Sequence, residues 1–154
     1  MTPYRLAESF RGVKEVPGSG DNVQILAMLK LDASWPDHDE VAWCSAFPNY
    51  ICWMLGWSRS KNLMARSWLD VGRKIEISKA HVGTDVAVIK RRIGDPGPDC
   101  VYEKEPRWPP GHMGFYSGHN EIDIYILGGN QSDEVSVQGY DINRLLGIRR
   151  LYHE

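Results

Sequence analysis

The spacing of apolar side chains changes about halfway along the chain. In the first half, apolar residues recur every three or four positions, which is the period of a helix with one buried face. In the second half they alternate with polar residues, which is the period of a strand. Helices first and strands second predict an α+β fold with N-terminal helices packed on an antiparallel β-sheet.

Four helices are predicted: residues 3–14, a second after a capping Asp21 or Asn22, a third from about Cys44 or Ser45, and a fourth from about Ser60 to Val71. Pro48 fixes the start of the third helix, because proline lacks a backbone N–H and is tolerated only within the first turn. Gly56 is the expected end of that helix.

Strands are predicted at residues 84–89, 112–116, 122–127, 134–137 and 145–151. The second and third of these form a β-hairpin signal with a loop of about four residues. Residues 91–110 contain five prolines and are predicted to be a loop over the surface.

Composition limits the classes of function. A chain of 154 residues with 42% hydrophobic content predicts one domain spanning residues 1–154. The formal net charge of -2 gives no support to nucleic-acid binding. The clusters Lys90-Arg91-Arg92 and Arg149-Arg150 are therefore expected to be solvated surface.

Membrane, disulfide and metal signals are weak. No window reaches the roughly 18 apolar residues that a membrane span needs, and residues 1–8 hold no signal-peptide core. We therefore expect synthesis in the cytoplasm without membrane insertion. Cys44, Cys52 and Cys100 form neither a disulfide framework nor a zinc pattern. The acidic run 37–40 could hold calcium, but it lacks the glycine and distal glutamate of an EF-hand, so a capping turn is preferred. No metal or cofactor is expected.

Cys44 is the candidate nucleophile. It follows a turn-like segment, Trp35 to Asp39, and lies at the start of the third helix. Unpaired N–H groups and the positive end of the helix dipole favour a thiolate at such a place. On the residues alone the alternative stays open, since a cysteine in an apolar helix is more often a small core residue.

His112 is the candidate general base, because it opens a predicted strand after Pro109-Pro110-Gly111 and its ring could reach a helix N-terminus. A third polar group normally orients such an imidazole. The period-two face that contains Ile126 ends at Asn130, the leading candidate, with Gln131 second. A surface histidine with no catalytic role is the alternative.

Several short motifs together resemble one family. They are Glu-Val-Pro-Gly…Asp-Asn (15–22), Asp-Glu-Val-Ala-Trp-Cys-Ser-Ala-Phe (39–47), Ala-Arg-Ser-Trp-Leu (65–69), Gly-His-Met-Gly-Phe-Tyr (111–116), Leu-Gly-Gly-Asn-Gln (127–131) and Arg-Leu-Leu-Gly-Ile-Arg-Arg (144–150). This order resembles small phage and prophage endolysin-like proteins of the NlpC-type/CHAP superfamily. The resemblance implies a papain-like fold, with Cys44 as nucleophile, His112 as base and Asn130 as the polar third member.

The resemblance also implies a function: hydrolysis of an amide bond in the peptidoglycan stem peptide by a cysteine peptidase or amidase. The protein would be a monomer that acts on the cell wall after release from the host cytoplasm. Trp43, Trp108 and Tyr116 are hypothetical lining residues, and Arg66 could meet a substrate carboxylate, although each also suits an ordinary core or surface role. The alternatives are a secreted antibacterial amidase effector and a non-catalytic virion or binding protein that keeps the fold.

Overall fold

The computed structural model describes residues 1–16, 21–33 and 43–154, and it consists of helices packed on a six-stranded antiparallel sheet. The α-helices are α1 (Pro3–Glu8), α2 (Val23–Lys30) and α3 (Ala46–Leu55), and short 3-10 helices cover Ala65–Asp70, Ile77–Lys79 and Ile142–Arg144. The strands are β1 (Arg73–Ile75), β2 (Asp85–Lys90), β3 (Gly111–His119), β4 (Asp123–Gln131), β5 (Glu134–Asp141) and β6 (Leu145–Arg150). The sheet order is β1-β6-β2-β3-β4-β5, so the predicted α+β class is confirmed.

The predicted helix starts agree with the structure better than the predicted lengths. Asn22 caps α2, because its side-chain oxygen accepts from the backbone N–H groups of Gln24 and Ile25. Pro48 lies in the first turn of α3, and Gly56 ends that helix in the left-handed conformation, with φ 70. The first helix is shorter than predicted, since α1 covers only Pro3–Glu8.

The predicted fourth helix, from about Ser60 to Val71, is wrong in kind and length: the structure has only the 3-10 helix Ala65–Asp70. The preceding residues instead form a turn that is bonded to side chains at the start of α3. Asn49 accepts from the backbone N–H of Lys61 (2.9 Å), and Ser45 Oγ donates to the carbonyl of Asn62 (2.6 Å). These contacts with α3 replace the helical bonds that the apolar spacing suggested.

All five predicted strands exist, and the hairpin strands β3 and β4 are longer than predicted, with a loop at residues 120–122. The edge strand β1 was not predicted, since three residues are too few to show an alternating pattern. Residues 91–110 contain neither helix nor strand and are mostly exposed, as expected.

The sheet buries apolar side chains on both faces. The larger cluster joins the helices to one face and includes Ile25, Phe47 and Trp68 with Met113 and Phe115 of β3. A smaller cluster lies on the other face, around Ala87, Ile89, Tyr116, Ile124, Ile126 and Ile148. Successive residues of β3 therefore contribute to opposite faces of the sheet, as the pleat requires.

The start of α3 packs directly on β4 at Gly129. A Cβ atom built at Gly129 would lie 2.5 Å from the indole of Trp43 and 3.0 Å from Cβ of Phe47. No side chain fits there, so the glycine permits the close approach of helix and strand. This approach sets the position of Cys44, which follows Trp43.

Some predictions fall outside the described residues: the link at 17–20, the turn at 35–39, the acidic run 37–40 and the lead-in 39–42 to Cys44. Within the described ranges, no helix is both long and apolar enough to cross a membrane.

Candidate active site

Cys44 lies two residues before α3, next to its N-cap residue Ser45, and is buried, with 7% of its surface exposed. The backbone N–H of Phe47 donates to the carbonyl of Trp43 (3.1 Å), so the helical bonding pattern already includes residue 44. The prediction that Cys44 lies at the N-terminal end of this helix is confirmed. The next residue, Ser45, accepts from the indole N–H of Trp68 (2.8 Å), which holds the first turn in place.

The electrostatics of the thiol differ from the expectation drawn from its helix position. Burial raises the pKa of Cys44, because desolvation penalises the thiolate. The backbone N–H of Met113, the charge of Arg91 and the N–H groups of Ser45 and Cys44 oppose this effect without cancelling it. Cys44 is therefore a neutral thiol at pH 7. The same N–H groups could later stabilise a negative charge next to the sulfur.

The contact with Met113 brings Cys44 to the strand that carries His112. Met113 follows His112 in β3, and its N–H acts on the sulfur of Cys44. Cys44 therefore contacts the residue that follows His112 in β3, although Cys44 and β3 lie far apart in sequence. Pairing of Ile89 with His112 fixes the register of the strand at this point.

The imidazole of His112 is held by a polar network on β4 and β5. Its Nε2 lies 2.9 Å from Oε1 of Gln131 and 3.3 Å from the hydroxyl of Tyr140. The Tyr140 hydroxyl also donates to Gln131 Oε1, at 3.0 Å. The rings of His112 and Tyr140 lie 5.3 Å apart between centroids. Gln131 is 2% exposed, whereas His112 and Tyr140 are half-buried.

This network fixes the imidazole tautomer. The amide nitrogen of Gln131 donates to the carbonyls of Ser136 (2.6 Å) and Ile126 (3.2 Å), which can only accept. Gln131 must therefore turn its oxygen toward His112, and Nε2 of the imidazole must carry the proton. Nδ1 is left with its lone pair, so it is the nitrogen that can act as a base.

Burial also lowers the pKa of His112, to about 4, because the cationic imidazolium is poorly solvated there. The hydrogen bond to Gln131 works against this shift, and the positive charges of Arg144 and Arg91 add to it. At pH 7 the imidazole is neutral. At rest the thiol of Cys44 and the imidazole of His112 are therefore both uncharged.

The prediction that Asn130 orients the imidazole is wrong in geometry, since the second candidate, Gln131, makes the hydrogen bond. The β4–β5 register shifts between Gly128 and Gln131, and Asn130 has φ 58. Such a bulge adds a residue to the strand and reverses the alternation beyond it. The period-two argument therefore pointed one residue too early.

Of the four predicted substrate contacts, Trp43 and Tyr116 are buried side chains. Trp43 is fully buried, and its indole N–H donates to Glu15 (2.7 Å). Tyr116 is 5% exposed within the smaller core cluster, and its hydroxyl lies 2.6 Å from Nδ1 of His119. Neither offers a surface to a substrate. Trp108 is half-buried in the loop 91–110, and its role stays a prediction.

Arg66 is a structural residue rather than a contact for a substrate carboxylate. It is fully buried, and its guanidinium donates to the carbonyls of Pro110 (3.2 Å), Gly97 (2.9 Å) and Pro96 (2.9 Å). These bonds tie the proline-rich loop to the beginning of β3. Arg66 thus supports the segment that leads into His112.

Sequence reasoning missed Tyr140. Its strand, β5, was predicted only as far as residue 137, so the residue fell beyond the expected element. Burial raises the pKa of Tyr140 to about 12, which keeps the hydroxyl protonated as a donor. Alternation along a longer strand would have been the signal, since Gln138 and Tyr140 share one face.

A cavity of about 600 Å³ lies next to the turn at residues 61–64. Its lining residues are Asp32, Ala33, Lys61, Asn62, Leu63, Met64, Glu105 and Pro106. The carbonyl of Asn62 accepts from Ser45, so one wall of the cavity contacts the residue after Cys44. Within the described residues, no group of three or more metal-ligating side chains occurs.

Comparisons with known proteins found a distant structural similarity and no matching family. No family model matches the chain, and no curated protein is significantly similar to it. Among solved structures, NlpC1 from Trichomonas vaginalis is similar with a TM-score of 0.43 and 16% sequence identity. The alignment covers 96% of this chain and 42% of that protein, so the chain spans less than half of that protein's length.

Proposed function

We propose that the protein is a cysteine hydrolase with a papain-like arrangement of the NlpC/CHAP type, and that it cleaves an amide bond in the peptidoglycan stem peptide. The observation that carries this proposal is the 2.9 Å bond from His112 to Gln131, in a strand whose next residue, Met113, contacts Cys44 through its N–H. A nucleophile, a base and a group that orients the base are the components of cysteine nucleophilic catalysis. The choice of peptidoglycan rests on the sequence resemblance.

The proposed reaction begins from the neutral pair. As the sulfur of Cys44 attacks the amide carbon, Nδ1 of His112 takes the thiol proton, and the carbonyl oxygen becomes an oxyanion. Backbone N–H groups at the start of α3 are the available donors to that oxyanion. The imidazolium then gives its proton to the leaving amine, and a thioester remains on Cys44. Water, deprotonated by His112, releases the acid and restores the thiol.

In biological terms, we propose a monomeric endolysin-like enzyme that is made in the host cytoplasm and reaches the wall after release, through a holin-like pore or an injection device. A secreted antibacterial amidase effector would use the same chemistry. An adjacent holin gene would favour the endolysin, and an adjacent immunity gene would favour the effector.

The test is digestion of purified peptidoglycan by the wild-type protein and by Cys44→Ala, followed by mass spectrometry of the fragments. The wild type should release muropeptides with one new amine and one new carboxylate at a single type of bond. Cys44→Ala should release none while keeping its circular dichroism spectrum. Equal fragment yields from the two proteins would refute cysteine catalysis.

A non-catalytic binding protein is the second candidate, and one observation favours it: Cys44 is only 7% exposed. Such a protein would sediment with insoluble peptidoglycan, and Cys44→Ala would sediment equally well. The wild type would release no fragments. The two candidates are therefore separated by the same pair of proteins.

A further inference from the structure

Two arginines lie close to the imidazole of His112. The β2–β3 register pairs Ile89 with His112 and Lys90 with Gly111. The chain leaves β2 after Lys90, so Arg91 stands next to the start of the strand that carries the imidazole. Arg91 is exposed to solvent, and its charge acts on both Cys44 and His112.

The second arginine, Arg144, is held in a defined position. Its Nε donates to the carbonyl of Lys90 (3.0 Å), and its Nη2 donates to the carbonyl of Arg91 (2.7 Å). Its Cζ lies 5.1 Å from the ring centroid of Tyr140, in cation–π contact. The Tyr140 hydroxyl in turn lies 3.3 Å from Nε2 of His112, so Tyr140 contacts both Arg144 and the imidazole.

The charges of Arg91 and Arg144 are not paired with a carboxylate of the residues that the structure describes. Within residues 1–16, 21–33 and 43–154, the ion pairs join Arg59 to Asp32 and Arg150 to Asp85, and neither involves Arg91 or Arg144. These two arginines lie next to a histidine that must become positively charged in the proposed reaction. A bound anion would offset that unfavourable arrangement.

We propose that Arg91 and Arg144 form a binding site for a carboxylate of the substrate, next to the amide bond that is cleaved. This inference rests on the proposed function and narrows the substrate to peptides with an anionic group near that bond. Arginine suits the role, because its planar guanidinium donates two parallel hydrogen bonds to a carboxylate. Stem peptides offer such groups on their D-glutamyl and diaminopimelyl residues.

Binding is best measured with Cys44→Ala, so that no cleavage interferes. The probes are the peptide L-Ala-γ-D-Glu-diaminopimelate-D-Ala and the same peptide with its side-chain and α-carboxylates converted to carboxamides. We expect the carboxamide form to bind about tenfold more weakly by calorimetry, the size of one lost charge-assisted hydrogen bond.

Substitutions of single arginines then test whether Arg91 causes the difference in affinity between the two peptides. Arg91→Gln should weaken binding of the acidic peptide by a similar factor and leave binding of the carboxamide peptide unchanged. Arg92→Gln is the matched control, since it removes a neighbouring exposed arginine that does not act on His112. It should change neither affinity. Equal affinities for the two peptides, or equal effects of the two variants, would overturn the carboxylate site.

Two further outcomes separate this inference from the proposed function. If the wild type cleaves the acidic and carboxamide peptides with equal kcat/KM, the carboxylate site is refuted and the hydrolase stands. If Cys44→Ala binds neither peptide, glutarate is titrated against the protein while the Nε–H resonance of Arg91 is followed by NMR. A saturable shift of this resonance that is absent in Arg91→Gln would support the anion site and exclude the stem peptide as its ligand. The absence of any shift in the wild type would overturn the anion site.

Discussion

Replacing Gln131 with methionine tests which side chain orients the imidazole. Methionine has nearly the volume of glutamine but can neither accept from Nε2 of His112 nor donate to the carbonyls of Ser136 and Ile126. The ring would lose the partner that fixes its tautomer. Asn130→Gly is the matched control, because Asn130 has φ 58 and glycine tolerates that conformation without a side chain.

Two magnitudes follow from the contacts of Gln131. Loss of the 2.9 Å bond to His112, together with freedom of the ring to take the other tautomer, should lower kcat/KM about 10- to 100-fold, or roughly 1.4–2.8 kcal/mol of barrier. Loss of the two bonds from Nε2 of Gln131 to the carbonyls of Ser136 and Ile126 should cost about 2 kcal/mol of folding free energy. For a chain of this size that is a fall in Tm of about 4–8 °C.

The assay is release of soluble muropeptides at a temperature well below both melting transitions, with folding checked by circular dichroism. Asn130→Gly should keep kcat/KM within about twofold, since surface changes of this kind have small effects. The reasoning would be refuted if Gln131→Met kept full activity while folded, or if Asn130→Gly lost as much activity as Gln131→Met.

Three further predictions use the same site. Folded His112 binds a proton only near pH 4, and the unfolded residue binds one near 6.5, so stability should fall between pH 6.5 and 4 by up to about 3 kcal/mol. His112→Asn should remove that part of the slope in urea titrations. Gly129→Ala should destabilise the fold by about 1–3 kcal/mol through overpacking. Gly94→Ala, where a Cβ meets nothing within 4 Å, should not, and equal Tm values would contradict the close approach of α3. Iodoacetamide should label the half-buried Cys100 before Cys44 in peptide mass maps, and the reverse order would show that Cys44 is a thiolate at rest.

Local signals in the sequence were sufficient to place Cys44. Pro48 restricts the start of α3 through its missing N–H, and Gly56 ends the helix by adopting a left-handed conformation. Both effects depend on the residue itself and hardly at all on tertiary contacts. The N-terminal end of this helix could therefore be predicted without knowledge of the fold.

Tertiary contacts determine two features that were predicted wrongly, the fourth helix and the residue that orients the imidazole. Residues 60–64 have helical spacing, but Asn49 binds the backbone of Lys61, and Lys61 takes φ 58. One pair of residues distant in sequence thus stops the predicted fourth helix. The bulge before Gln131 has a similar origin, since it depends on how β4 pairs with β5. No pattern within β4 alone records that shift.

The burial of both reacting groups decides when the nucleophile can form. Desolvation raises the pKa of Cys44 and lowers that of His112, so proton transfer between them at rest would create two poorly solvated charges. The transfer becomes favourable only when new charges or hydrogen bonds compensate. A carboxylate bound by Arg91 and Arg144 would stabilise the imidazolium, while the N–H groups of Met113 and α3 would stabilise the charge near the sulfur. If the proposed function holds, an acidic substrate would complete the active site, and a small neutral amide should be hydrolysed slowly even at saturating concentration.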